Sequence, residues 1–110
     1  MKSGAEAAMP FIVRRTLTKL GADMSIARRR RAMPVRRVTE AAGISAGTLR
    51  RIEKGDPSVS LGAFAMVLLS LGEISRLDAL IPPAEDHLGL ALDIDRLPKR
   101  VTARGKVDGL

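Results

Sequence analysis

Val35–Gly55, VRRVTEAAGISAGTLRRIEKG, decides how this chain folds. Met33-Pro34 interrupts whatever precedes it, and a proline is tolerated in the first turn of a new helix because its missing N–H would have no partner there. The spacing predicts a helix over about 35–41, with Val38 and either Ala41 or Ala42 facing inward. Gly43 stops it, since glycine accepts the left-handed conformation that follows a helix end. Ser45 then caps another short helix, Ala46–Lys54, which buries Leu49 and Ile52 and stops at Gly55. Two short helices joined by Ala42-Gly43-Ile44-Ser45 have the lengths and spacing of a helix-turn-helix, with Ile44 plugging the core behind the turn.

Outward from this centre the pattern stays helical on both sides. Upstream, Val13, Leu17, Leu20, Met24 and Ala27 recur at intervals of four and three, one stripe of a helix that runs to about Arg31. Gly21 in its middle is either a close-packing site or a sign that the regular helix begins near Thr16, because glycine costs about 1 kcal/mol there relative to alanine. Downstream, Asp56-Pro57-Ser58 signals a turn, and Ser60 caps a helix Leu61–Leu71. Leu61, Phe64, Ala65, Val67, Leu68 and Leu71 make it apolar almost all round, so it is expected to be the most buried helix. A fifth helix carries Ile74, Leu77, Leu80 and Ile81 and ends at Pro82-Pro83.

The two ends read differently. Residues 1–10 are small and polar and are expected to be disordered, leaving 11–82 as the helix-turn-helix domain and 83–110 as a tail. In that tail Leu88, Leu90, Leu92 and Ile94 alternate with Gly89, Ala91, Asp93 and Asp95, the period of a half-buried strand over 88–94. A lone strand is not stable, so the expected partner is the same strand of a second subunit. The expectation is an all-α five-helix domain with a short C-terminal β-strand that pairs across a homodimer.

At 110 residues the chain suits one domain, and with 2% aromatic residues its core must be aliphatic, which favours helix on helix. The net charge of +7 is uneven: residues 1–60 hold thirteen basic and five acidic groups, residues 61–110 six and seven. A basic front half is the layout of a protein that meets a polyanion. A membrane surface would satisfy the charge, but the basic helices lack the long apolar run or aromatic anchors it needs. No cysteine and a single histidine leave no disulfide, thiolate site or common catalytic set, so neither an enzyme nor a bound cofactor or metal is expected. Glu85-Asp86 and the Asp93/Asp95 pair read as solubilising charges, and His87 as a surface residue. The first ten residues resemble no export signal, giving an expected cytoplasmic, nucleoid-associated location.

Ala27-Arg28, Ala41-Ala42-Gly43-Ile44-Ser45, Thr48-Leu49, Arg51-Ile52-Glu53-Lys54-Gly55, Ser60-Leu61 with Phe64-Ala65, and Leu71-Gly72 together resemble the lambda-repressor-like, Cro-type (XRE family) helix-turn-helix domain over about 16–80. The tail, Leu88-Gly89-Leu90-Ala91-Leu92 with Arg96–Val101, is similar to regulators of the HipB antitoxin type. That resemblance implies a transcriptional repressor that binds palindromic double-stranded operator DNA as a homodimer. It also implies a partner, a HipA-like Ser/Thr kinase toxin, whose shared operon the protein represses. Arg28 and Glu53 occupy the family positions of a structural ion pair between the first and third helices.

The DNA-facing residues follow from physics as well. Arg36 and Arg37 sit in the first turn of a helix, where the dipole disfavours cations; phosphate contact would account for them, and so would a solvated helix end. Ser45, Ala46, Gly47 and Thr48 open the recognition helix, whose place is the major groove. Ala46 and Gly47 depart from the family's long polar residues, which leaves base reading to Arg50 and Arg51, either able to reach guanine in bidentate fashion. Thr48 and Lys54 suit phosphates. Val35 replaces a common glutamine, with Arg36 as its substitute. Of Arg28–Arg31, which cannot share one helical face, Arg30 or Arg31 is expected nearer the DNA. The competing reading is a protein-interaction module in which the helix-turn-helix is only a scaffold; RNA binding is disfavoured by the lack of stacking aromatics.

Overall fold

The structure, a computed structural model, describes residues 8–104, with side chains through Arg96. Among the described residues there are six α-helices: α1 Phe11–Arg30, α2 Val35–Ala42, α3 Ala46–Glu53, α4 Leu61–Leu71, α5 Ile74–Asp78 and α6 His87–Arg104. A 3-10 turn spans Pro83–Glu85, and no strand occurs among the described residues. The chain is all-α. It divides at Asp78–Ala79 into two compact units.

In the first unit, local chemistry sets the helix boundaries. Pro34 precedes α2, and Gly43 ends it at φ 69°, its N–H bonding Thr39 O at 2.9 Å while Ile44 N–H shares the same carbonyl. Ser45 Oγ accepts from Thr48 N–H at 3.0 Å to start α3, and Ser60 Oγ does the same for Ala63 N–H to start α4. Ala32 holds a positive φ of 51° after α1, a conformation that costs an ordinary residue about 1–2 kcal/mol.

Met24, Val38, Ala42, Leu49, Ile52, Val67 and Leu71 form the buried core, with Ala27, Met33, Ile44, Ala63, Phe64 and Leu68 packed around it. Helix α2 lies against α4, and α1 against α3. This last contact is the tightest. A Cβ on Gly21 would stand 2.5 Å from Ile52 O and 2.6 Å from Gly55 N, and one on Gly55 would collide with the Leu17 carbonyl. Gly21 is therefore a close-packing site in a helix that is regular from Phe11 onward.

Helix α4 buries Val67 and Leu71 and half-buries Ala63, Phe64, Ala65 and Leu68, while Leu61 is 71% exposed and Leu69 54%. Of the α1 stripe, Met24 is buried and Leu17 and Ala27 are half-buried, while Val13 and Leu20 are exposed.

The second unit departs most from the sequence pattern. Residues 88–94, expected as a strand, lie within α6, so Leu88, Leu90, Leu92 and Ile94 are helical, exposed positions and not a β dimerisation edge. The physical reason is that a lone strand leaves its backbone unpaired, whereas a helix satisfies it within the segment. Asp86 starts the helix, its Oδ1 accepting from Gly89 N–H at 3.0 Å. Beyond Arg100 the helix continues as far as Arg104. Of residues 1–10, expected to be disordered, 1–7 lie outside the described residues, as do 105–110, while 8–10 are a non-helical lead into α1.

The Gly21 contact yields a test. Gly21→Ala pushes a methyl into backbone that cannot rotate away, and overpacking of this kind costs about 1–3 kcal/mol, more than the ~1 kcal/mol alanine gains in helix propensity. Thermal unfolding should show the midpoint lowered by about 5 °C or more.

Candidate nucleic-acid interface

Arg28 is the centre of the arrangement that holds α3. Its Nε donates to Glu53 Oε2 at 2.7 Å, Nη2 to Oε1 at 3.2 Å and Nη1 to the Met33 carbonyl at 3.1 Å. One guanidinium thus joins α1, the α1–α2 turn and the end of α3. The side chains are 13% and 16% exposed, so the pair is shielded from water. The hydrogen bonding with Glu53 raises the Arg28 pKa above its ordinary value; burial opposes this, and the Glu53 charge adds to the rise.

With Leu49 and Ile52 turned inward, helical geometry puts Gly47, Arg51 and Lys54, at intervals of four and three, along the opposite face of α3. Arg50 stands at the edge of that face and is exposed, as is Ala46 at the helix start. Glu53 is the only acid in Ala46–Glu53, and Arg28 holds it on the inner side. The outer face of α3 is consequently cationic.

The side chains on that face differ in freedom. Arg51 Nη2 donates to Thr48 Oγ1 at 3.3 Å, and its Nε lies 3.9 Å from Asp56 Oδ2. Thr48 Oγ1 also accepts from Ser45 Oγ at 3.0 Å. Ser45 and Thr48 are thus engaged in capping α3, and Arg51 is drawn along the helix surface. Arg36 and Arg37, in the first turn of α2, are both exposed; Arg36 makes a 3.3 Å pair with Glu40 that leaves its side chain almost fully in water and contributes little.

Arg31 is not placed for an external anion. It donates to the Leu71 carbonyl at 3.0 Å, to Ala27 O at 3.0 Å and to Glu73 at 2.9 Å, closing the end of α4. Both candidates in the arginine run are exposed, but Arg31 is held by these three acceptors. Sequence reasoning missed this clamp because its carbonyl acceptor lies forty residues away. The visible clue was the Gly72-Glu73 helix end, which leaves carbonyls in want of donors.

Among the described residues no group of His, Asp or Glu has the arrangement to hold a metal ion, and no helix is long and apolar enough to cross a membrane. Comparison with protein-family models, with curated proteins and with solved structures finds no match for this chain.

Two substitutions probe the site. Arg28→Ala strands a shielded carboxylate and should cost about 3 kcal/mol in denaturant unfolding. The Arg28→Ala/Glu53→Ala double variant should lose less than the sum of the single losses. Gly47→Ala has the opposite sign: a Cβ there meets nothing nearer than Ser45 Oγ at 3.8 Å, so stability should rise by about 0.5–1 kcal/mol in the same assay.

Proposed function

We propose that this protein is a sequence-specific double-stranded-DNA-binding repressor that works as a homodimer, with α2 and α3 as its helix-turn-helix and α3 as the helix that enters the major groove. The observation that carries this reading is the cationic outer face of α3, from which the only acid of the helix has been withdrawn by Arg28. In the groove, Arg50 reads guanine edges, and Arg51 does so once it exchanges Thr48 and Asp56 for the base. Lys54, Arg36 and Arg37 take phosphates. Gly47 supports the reading because nothing in the fold requires a glycine there. Its bare backbone lets the helix approach the groove closely.

One recognition helix spans too few base pairs for useful selectivity, so two copies read half-sites about one DNA turn apart, and repression follows from covering a promoter. The added role of antitoxin to a HipA-like kinase rests on the likeness of the tail sequence, and the helical form of that tail adds nothing to it.

Fluorescence polarisation against the chain's own upstream DNA and a scrambled duplex, at two salt concentrations, tests the reading. The expected result is promoter binding tighter by about tenfold or more, lost in the Arg50→Ala/Arg51→Ala variant. Equal, salt-sensitive binding to both duplexes would reduce the basic face to an electrostatic adhesive. Binding to neither would favour the protein-interaction module.

A further inference from the structure

Asp56 is fixed in place by contacts that do not involve the Arg51 side chain. Its N–H donates to the Arg51 carbonyl at 2.9 Å, the bond that closes the end of α3 around Gly55, whose φ is 77°. Pro57 confines its backbone from the other side. Its Oδ1 accepts from Ser58 N–H at 2.8 Å and from Ser58 Oγ at 2.7 Å. The carboxylate is thereby pinned beside the outer face of α3, with Oδ2 3.9 Å from Arg51 Nε. The Asp56 side chain is 29% exposed and that of Arg51 53%, so the pair is better shielded than Arg36 and Glu40 on α2. Thr48 Oγ1 holds the same guanidinium at Nη2, at 3.3 Å.

We infer that Asp56 restrains Arg51 in the free protein, and that it thereby keeps both the affinity and the selectivity of the DNA contact below what α3 would reach without it. This rests on the reading of α3 as the recognition helix. To take a guanine edge, Arg51 must leave Asp56, so the lost restraint counts in full against promoter binding. On DNA of the wrong sequence no base draws Arg51 away, and the restraint stays intact. Asp56 cannot follow the guanidinium into the groove, because Ser58 and the closing bond of α3 hold it. A carboxylate acting only as a charge near phosphates would behave differently: it would weaken binding to every duplex alike, with no need of Arg51.

Asp56→Asn removes the charge but keeps an oxygen able to accept from Ser58, so the turn survives. Asp56→Ser, which also makes such turns, is the second variant. Fluorescence polarisation should show both variants binding the upstream duplex about twofold to fivefold tighter than wild type, the span expected of a partly exposed ion pair, with binding to the scrambled duplex unchanged. In an Arg51→Ala background, Asp56→Asn should alter neither. In the free protein, the Arg51 Nε–H resonance should move on Asp56→Asn, while that of Arg28, held by Glu53, stays in place.

No tightening, equal tightening on both duplexes, a gain that survives Arg51→Ala, or an unmoved Arg51 resonance overturns the inference. A wild type that prefers the upstream duplex, beside Asp56 variants that bind no tighter, removes the restraint and leaves the repressor standing. A wild type with no preference between duplexes removes both.

Discussion

The two-pronged bond between Arg28 and Glu53 is the interaction on which the rest of the first unit depends. Helix α3 has eight residues, far fewer than a helix needs to persist alone in water, so its position must come from its neighbours. Leu49 and Ile52 supply adhesion without direction. The ion pair supplies direction at the C-terminal end, and the Gly21–Gly55 approach fixes the distance to α1. A half-buried pair of this kind contributes little net energy over an apolar substitute, but once built it strongly disfavours any placement of α3 that separates the two charges.

The same bond shapes the electrostatics. Counting the front half of the sequence suggests a uniformly basic protein, while the structure sorts its arginines into two populations. Arg28, shielded, and Arg31, at the surface, are tied to carboxylates and carbonyls, where they fasten helices together. Arg30, Arg36, Arg37 and Arg50 are exposed, with Arg51 between the two groups. The surface available to a polyanion is therefore narrower than the composition implies. Withdrawal of Glu53 leaves no acid of α3 itself on the outer face where the proposed contact with DNA lies.

How far the sequence was legible depends on the range of the interactions involved. The ends of α2, α3 and α4 were readable because Gly43, Ser45 and Ser60 act within three or four residues of themselves. The role of Arg31 and the exposure of Leu61 and Leu69 were not, since both depend on how far one helix extends past another. The tail was misread for a sharper reason. Leu88 to Ile94 satisfies a period of two, but Leu90, Ile94, Leu97 and Val101 satisfy a period of 3.5 over a longer span, and the longer pattern matches the helix observed. In the candidate site, residue types on α3 were visible in the sequence. What was hidden is that Ser45 and Thr48 are occupied with capping and that Arg51 has partners of its own.

The central claim is that α2 and the outer face of α3 meet duplex DNA while the opposite side of the unit does not. An amide chemical-shift map of the full chain, titrated with its upstream duplex, tests it most directly. The account predicts that the largest shifts fall on Arg36, Arg37 and Ser45–Lys54, with Met66 and Leu69 of α4 unmoved. Shifts centred on α4 or α6, or scattered evenly over every lysine and arginine, would contradict it.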